Sequence, residues 1–578
     1  MNLLSLRSLN AGTARLLLYL VAILMLGVAS QVAHATTATN WKFPDKLRAV
    51  HFWQPWIDTN PSGSKGAWLE YSLSGLDLQR ADSELKMVSE QGFNTVVLWV
   101  PWGNIMSSVN YVDSSPSSMT YVFDSNNEAK LQGFVQSAAH YGLSVVLMPL
   151  TAANPTLYHD NGVTPSTRVC STNFNVFYNP AGNGAPCTWS SNLVYALFTD
   201  TNLFDAYNAF LVELSRAVAG MGNVYGFIIP WETDNAPQGQ ITVSQVTSMA
   251  NSLKAYDKTK AVAYYPRPGD PSAMYYIAGT DFVAMGWYGA GSGAMPLPLA
   301  DDTAYVVSMS RQAQPVGAPP MKVFIYEFAY DAHTVCENFD VKGGCSTAAK
   351  HDPTSGADQP VAGWDTRGEM WQDIFVGYQS STWKDIGVVN QMESNSNLLG
   401  YSYWGLYDAD PYSPLCDPST ATQDYYSTWG FGLIKLVPTQ ASQTATTCQA
   451  FVNANLSGFT EKPRAAWNTF GRILKTPQID ALGLGCANDQ CIWITGERFA
   501  GQFEDASIFP STCHVDFYTP DWSAPGFLQT VVPDYCDDRG ITLTIPSSIL
   551  QKYRAVNVTV VNKYGMWSVP KLISLSAP

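Results

Sequence analysis

The sequence predicts an α/β fold, a (β/α)8 TIM barrel followed by a small all-β sandwich. Three observations carry this. From about residue 40 to 470, short β-branched or aromatic runs alternate with amphipathic helical patterns. Eight of those runs are continuously apolar, as in strands buried on both faces of a parallel sheet. Beyond about residue 475 the helical periodicity stops and short alternating runs take over.

The chain opens on a leader. Arg7 and Arg15 precede an apolar run from Leu16 to Ala29, and Ala33-His34-Ala35 then gives the small-x-small pattern of a cleavage site. The run falls short of the roughly 20 apolar residues a membrane span needs. Residues 1–35 are therefore read as a cleaved signal peptide, and the mature chain as secreted or periplasmic without stable membrane insertion. Cleavage removes Arg7, Arg15 and no acid, moving the formal net charge from −15 to −17. An acidic surface argues against nucleic acid and anionic membranes as partners.

The eight strand candidates are Arg48–Gln54, Asn94–Val100, Leu143–Pro149, Val224–Trp231, Ala261–Tyr265, Phe282–Trp287, Lys322–Glu327 and Leu399–Trp404. Helical stripes lie between them: Ala81, Leu85 and Val88 before Gly92; Leu131, Phe134, Val135 and Ala138 before Gly142; Tyr207, Leu211, Leu214 and Val218 before Gly220; then Val246, Met249 and Leu253. No glycine-rich phosphate loop follows the first strand, which sets aside a doubly wound sheet. The barrel is assigned to residues 36–474 and the sandwich to 475–578.

All ten cysteines follow the leader, and an even number in an exported chain points to disulfides. Sequential pairing is the simplest pattern: Cys170 with Cys187, Cys336 with Cys345, Cys416 with Cys448, Cys486 with Cys491, Cys513 with Cys536. Cys486 and Cys491 lack zinc-ribbon spacing and the chain has 7 histidines, so neither a metal site nor a cofactor is expected.

In the last hundred residues, Ile494-Thr-Gly-Glu-Arg-Phe499 and Val558-Thr-Val-Val-Asn-Lys-Tyr-Gly565 resemble the "I-x-G-x-x-F" and closing "V-x-V-x-N-x-x-G" strands of immunoglobulin-like TIG (IPT) domains. The resemblance covers that region alone.

A parallel barrel carries its chemistry at the carboxyl ends of its strands. Strand four ends Phe227-Ile-Ile-Pro-Trp-Glu232 and strand seven ends Val323-Phe-Ile-Tyr-Glu327. Burying a carboxylate after five apolar residues is costly without a partner, so two such glutamates in one barrel are candidates for paired acid–base and nucleophilic work rather than structural ion pairs.

Here the chain resembles the clan A glycoside hydrolases, which include the cellulase-like family 5. Phe324-Ile-Tyr-Glu-Phe328 is similar to the clan's nucleophile strand, and Gly92-Phe-Asn-Thr-Val-Val-Leu98 to its entry into strand two. Tyr288, after Gly286-Trp287, stands where the clan holds an aromatic beside the nucleophile, and Trp404 where a tryptophan floors the sugar subsite. The resemblance spans roughly residues 45–470. It implies a retaining glycosidase acting on a polysaccharide or oligosaccharide, with Glu232 as acid/base and Glu327 as nucleophile. One position departs: Trp231 replaces the clan's asparagine before the acid/base. Either Asn235 or Asp234 supplies that contact, or the sugar is held differently.

Trp53, Trp56, Trp99, Trp102, Trp231, Trp287, Tyr326 and Tyr330 also lie near strand ends and are candidates to line the cleft, although a core role is an equal reading for each. Arg267, after strand five, is a candidate to bind a hydroxyl or carboxylate, with a surface ion pair as the favoured reading. Two alternatives stand beside hydrolysis: a non-catalytic, exopolysaccharide-associated glycan-binding protein on a degenerate barrel, supported by Trp231, and a transglycosylase using the same two glutamates.

Overall fold

The computed structural model describes residues 41–54, 73–112, 115–150, 156–160, 165–168, 201–229, 241–266, 270–287, 299–329, 334–336, 339–340, 344–345, 348–350, 372–373, 375–377, 387–407, 432–438, 459–486, 490–499, 513–521, 525–537, 539–562 and 566–575. The leader and its cleavage site lie outside them.

The eight predicted runs form β1 (Leu47–Phe52), β2 (Thr95–Pro101), β3 (Ser144–Leu150), β4 (Val224–Ile228), β5 (Ala261–Tyr264), β6 (Phe282–Gly286), β7 (Val323–Phe328) and β8 (Leu398–Tyr403). They close into one parallel barrel in chain order, with β8 pairing back onto β1. Around it lie α1 (Leu78–Glu90), α2 (Ser125–His140), α3 (Thr201–Ala217), α4 (Val243–Leu253), α5 (Leu299–Ala313), α6 (Val388–Ser394) and α7 (Ala465–Lys475). The helical stripes read from sequence are buried in one continuous core with the strands, which is what drives these segments onto the sheet.

Local chemistry sets the helix ends. Asp77 and Asp124 accept from the first free N–H groups of α1 and α2, and Thr242 with Gln245 forms a reciprocal capping box on α4. Gly92, at φ +99°, terminates α1 in the left-handed region.

One feature departs from simple βα alternation. Met106–Val112, Ser115–Phe123, Thr156–Asp160 and Pro165–Arg168 follow the carboxyl ends of β2 and β3 and pair into a separate four-stranded sheet. Short hairpins, Thr334–Cys336 with Ala348–Lys350 and Phe339–Asp340 with Gly344–Cys345, follow β7.

After α7 the described residues are all-β except for one short helix: β9 (Gln478–Leu484), β10 (Cys491–Glu497), β11 (His514–Tyr518), β12 (Phe527–Val531), β13 (Tyr535–Cys536), β14 (Gly540–Thr544), β15 (Ala555–Val561) and β16 (Lys571–Ser574). They form two antiparallel sheets, ordered β9-β10-β14-β13 and β12-β11-β15-β16. Alternate residues of both (Ile492, Ile494, Ile541 and Leu543 facing Val515, Phe517, Val558 and Val560) share a core of their own, separate from that of the barrel. Cys486–Cys491 and Cys513–Cys536 are disulfide-bonded. The side chains of Cys170, Cys187, Cys336, Cys345, Cys416 and Cys448 lie outside the described residues.

The sandwich meets the barrel through buried charges. At the start of β1, Arg48 donates to Glu393 through Nε and Nη2, each at 2.9 Å, and to Glu497 of β10 at 2.5 Å. Arg498, held at φ +64°, donates through Nη1 to Glu393 Oε2 at 2.9 Å, the oxygen that Arg48 Nη2 also contacts. This is the amino end of the barrel strands, where residues contribute to stability rather than chemistry.

Candidate active site

The strand alternation fixes which side chains reach the barrel interior. In β8, Tyr401 and Tyr403 point outward: Tyr401 Oη donates to Glu393 on α6, and Tyr403 packs edge-on to Phe470 of α7. Gly400, Ser402 and the following Trp404 therefore face inward. In β1, Phe52 packs outward on Phe134 of α2, which places His51 and Trp53 inside.

The seventh strand breaks this rule at the point of interest. Ile325 pairs with Met285 on one side and Tyr401 on the other, yet the next pairs are Glu327 with Gly286 and Phe328 with Tyr403. One extra residue has been inserted against both neighbours, a β-bulge at Tyr326 and Glu327. Tyr326 lies inside, against Gly286 and edge-on to Tyr265 at 5.5 Å. Phe328 packs outward on Phe375, Tyr403 and Phe470. An unbulged strand facing Tyr326 inward would turn Glu327 out and Phe328 in. The bulge reverses that parity and turns Glu327 toward the mouth of the barrel, at 4% exposure. Its backbone is tied on both sides: Trp287 N–H donates to the Glu327 carbonyl at 2.8 Å and Trp404 N–H to that of Phe328 at 2.9 Å.

An aromatic cluster adjoins it. Trp99 of β2 stacks on Trp404 (6.5 Å between centroids, 25° between planes) and lies 6.2 Å from Trp53. Gly405, at φ +111°, leaves room for this packing, because a Cβ there would meet the Trp53 ring at 2.8 Å. Beneath the cluster is a fully buried histidine that the site reading from sequence passes over. His51 Nδ1 accepts from Trp99 Nε1 at 2.8 Å, and His51 Nε2 donates to the Tyr326 carbonyl at 2.5 Å. Indole N–H only donates and a carbonyl only accepts, so the imidazole is the Nε2–H tautomer. Burial pushes its pKa down to about 4, against the opposing pull of the Tyr326 carbonyl, so it is neutral at pH 7. The one sequence signal was a lone polar ring in the otherwise apolar run Ala49–Trp53.

Glu327, Trp404, Trp99 and Trp53 thus come together. Trp287 does not join them: its indole donates to Asp302 of α5 at 3.1 Å and stacks on Phe375, on the helix side of the barrel. Trp102 is likewise packed against Tyr207 and Phe210 of α3. Glu232, Tyr288, Trp231, Asn235, Asp234, Arg267, Trp56 and Tyr330 lie outside the described residues.

No family model and no curated protein matches the chain. Among solved structures, it is similar to a GH5_18 protein of Streptomyces cattleya in complex with Manb1-4GlcNAc, at 14% identity over 74% of this chain and 80% of that one, TM-score 0.36. An exo-beta-1,4-mannosidase of Opitutaceae bacterium strain TAV5 matches at 13% identity, 74% and 59% coverage and TM-score 0.40, so the match spans less than two thirds of that protein. An endo-1,4-beta-mannanase of Rhizomucor miehei matches at 10% identity, 72% and 96% coverage and TM-score 0.36. The barrel stands on its own closed strand order and does not depend on these likenesses.

Proposed function

We propose that the chain is an exported retaining glycoside hydrolase that cleaves O-glycosidic bonds of a polysaccharide or oligosaccharide. The observation that carries the reading is the bulge in β7, which turns Glu327 to the carboxyl mouth of the barrel beside Trp404. Glu327 attacks the anomeric carbon as the bond to the leaving oxygen breaks, and Glu232, protonated, gives that oxygen its proton. Glu232 then takes a proton from water, and the resulting attack on the anomeric carbon releases the sugar and restores Glu327. Trp404, backed by Trp99, offers an apolar face to the C–H side of a pyranose.

The test is stereochemical. Proton NMR of the first-formed product from an activated aryl glycoside should show the anomer of the substrate. The opposite anomer would overturn double displacement. An absence of turnover across a glycoside panel would favour the glycan-binding alternative.

A further inference from the structure

Resting on the glycosidase reading, we propose that His51 is a positioning residue for Glu327, holding the β7 bulge through the Tyr326 carbonyl. The peptide that bears this carbonyl is also the one that leads into Glu327, one bond from its backbone nitrogen. It sits where the strand register jumps, so its direction is not set by an even ladder on both sides. A directed donor from inside the barrel fixes it, and with it the Cα–Cβ direction of Glu327.

Packing alone does not account for a histidine here. The ring is fully buried between Trp53 and Trp99, at centroid distances of 6.4 and 5.6 Å, and a phenylalanine would fill much the same volume without a polar atom to satisfy. What imidazole adds is two bonds of fixed and opposite sense, one accepted from Trp99 and one donated to Tyr326. The Trp99 bond selects the tautomer, as partners of a functional histidine commonly do. Since Trp99 also stacks on Trp404, one neutral ring links the sugar floor on β2 and β8 to the bulge on β7. The expected consequence is correct aim for the nucleophile, to which rate is steeply sensitive.

Two variants separate positioning from bulk. In His51→Asn the amide oxygen stands near the place of Nδ1 and still accepts from Trp99, but no donor reaches Tyr326. In His51→Gln the amide nitrogen stands near the place of Nε2 and the donor is kept. On an aryl glycoside, His51→Asn should lose about 10²-fold in kcat with KM changed by no more than about threefold, as for a defect made in the transition state. The rate of covalent labelling by a 2-fluoro glycoside should fall in parallel. His51→Gln should recover most of both. Nitrogen-15 NMR of the histidine-labelled protein should show a His51 Nε2–H tautomer that does not titrate between pH 5 and 8. Asparagine and glutamine variants that label at the wild-type rate, or at equally reduced rates, overturn the proposal, as does an Nδ1–H tautomer. If the wild-type chain itself is never labelled at Glu327, the glycosidase reading fails and the positioning role falls with it. A labelled wild type with an unaffected His51→Asn variant sinks the positioning role alone.

Discussion

Arg48 of the first barrel strand reaches Glu497 of the sandwich at 2.5 Å through Nη2, and holds Glu393 through that same Nη2 and through Nε. Burial alone would raise the Glu393 carboxyl, but the charges of Arg48 and Arg498 and the hydrogen bonds from Arg48 and Tyr401 outweigh it and bring the pKa down to about 2. A carboxyl lowered on folding contributes stability that is present above its ordinary value of 4.5 and lost as pH falls toward 2. Glu393→Gln should therefore cost up to about 3–5 kcal/mol at pH 7, because Arg498 loses the buried carboxylate facing it and Arg48 is left with Glu497 alone. Denaturant unfolding of both proteins from pH 7 to 2.5 should show the gap narrowing across the acid range. Equal stability at pH 7 would contradict this account of the interface.

The two described disulfides should differ in weight. Cys513–Cys536 spans 23 residues and Cys486–Cys491 spans 5. Restricting the longer loop removes more freedom from the unfolded chain, about 3 kcal/mol against about 2. Paired alanine variants followed by thermal unfolding should show the larger drop for Cys513 and Cys536. Thiol titration of the denatured, unreduced protein should find almost no free cysteine if all five sequential pairs form.

The two glutamates of the proposed mechanism should fail differently. Glu327→Gln should abolish turnover of every substrate, since no glycosyl-enzyme forms. Glu232→Gln should slow natural substrates by about 10²–10⁴-fold yet spare the first step on an aryl glycoside with a good leaving group. Azide should then rescue release as a glycosyl azide. Undiminished turnover of a natural substrate by Glu232→Gln would assign the acid/base elsewhere. A crystal structure should place the two carboxyls about 5–5.5 Å apart.

The resemblance singles out Trp404 as the subsite floor and leaves Trp287 as one of several strand-end candidates, and their surroundings separate them. Trp404→Ala should lower kcat/KM about tenfold or more by removing the proposed sugar floor. Trp287→Phe withdraws the bond to Asp302 on the helix side, and should lower the unfolding temperature with little change in kcat/KM. A larger kinetic loss from Trp287→Phe than from Trp404→Ala would reverse the assignment.

The contrast shows what a sequence carries. All eight barrel strands were legible because a parallel strand buried on both faces is a continuous apolar run, as in Val323–Phe328. Glu327 was legible because a carboxyl at the end of such a run is costly. The bulge at Tyr326 was not, since register depends on the two neighbouring strands and not on local composition. For the same reason the outward turn of Trp287 was hidden, strand parity being unreadable beside a register shift. His51 could be seen as an odd residue, but its partners Trp99 and Tyr326 lie 48 and 275 positions away. The charge cluster joining Arg48 to Glu393 and Glu497 spans 345 and 449 positions, beyond any local pattern.

The most direct measurement is the identity of the residue captured by an activated 2-fluoro glycoside. The probe forms a glycosyl-enzyme whose hydrolysis is slow enough for digestion and mass spectrometry. The account predicts a single labelled peptide, modified at Glu327 within Val323–Phe328, and no label in Glu327→Gln. A label on another carboxylate, or an unaltered label in Glu327→Gln, would contradict it.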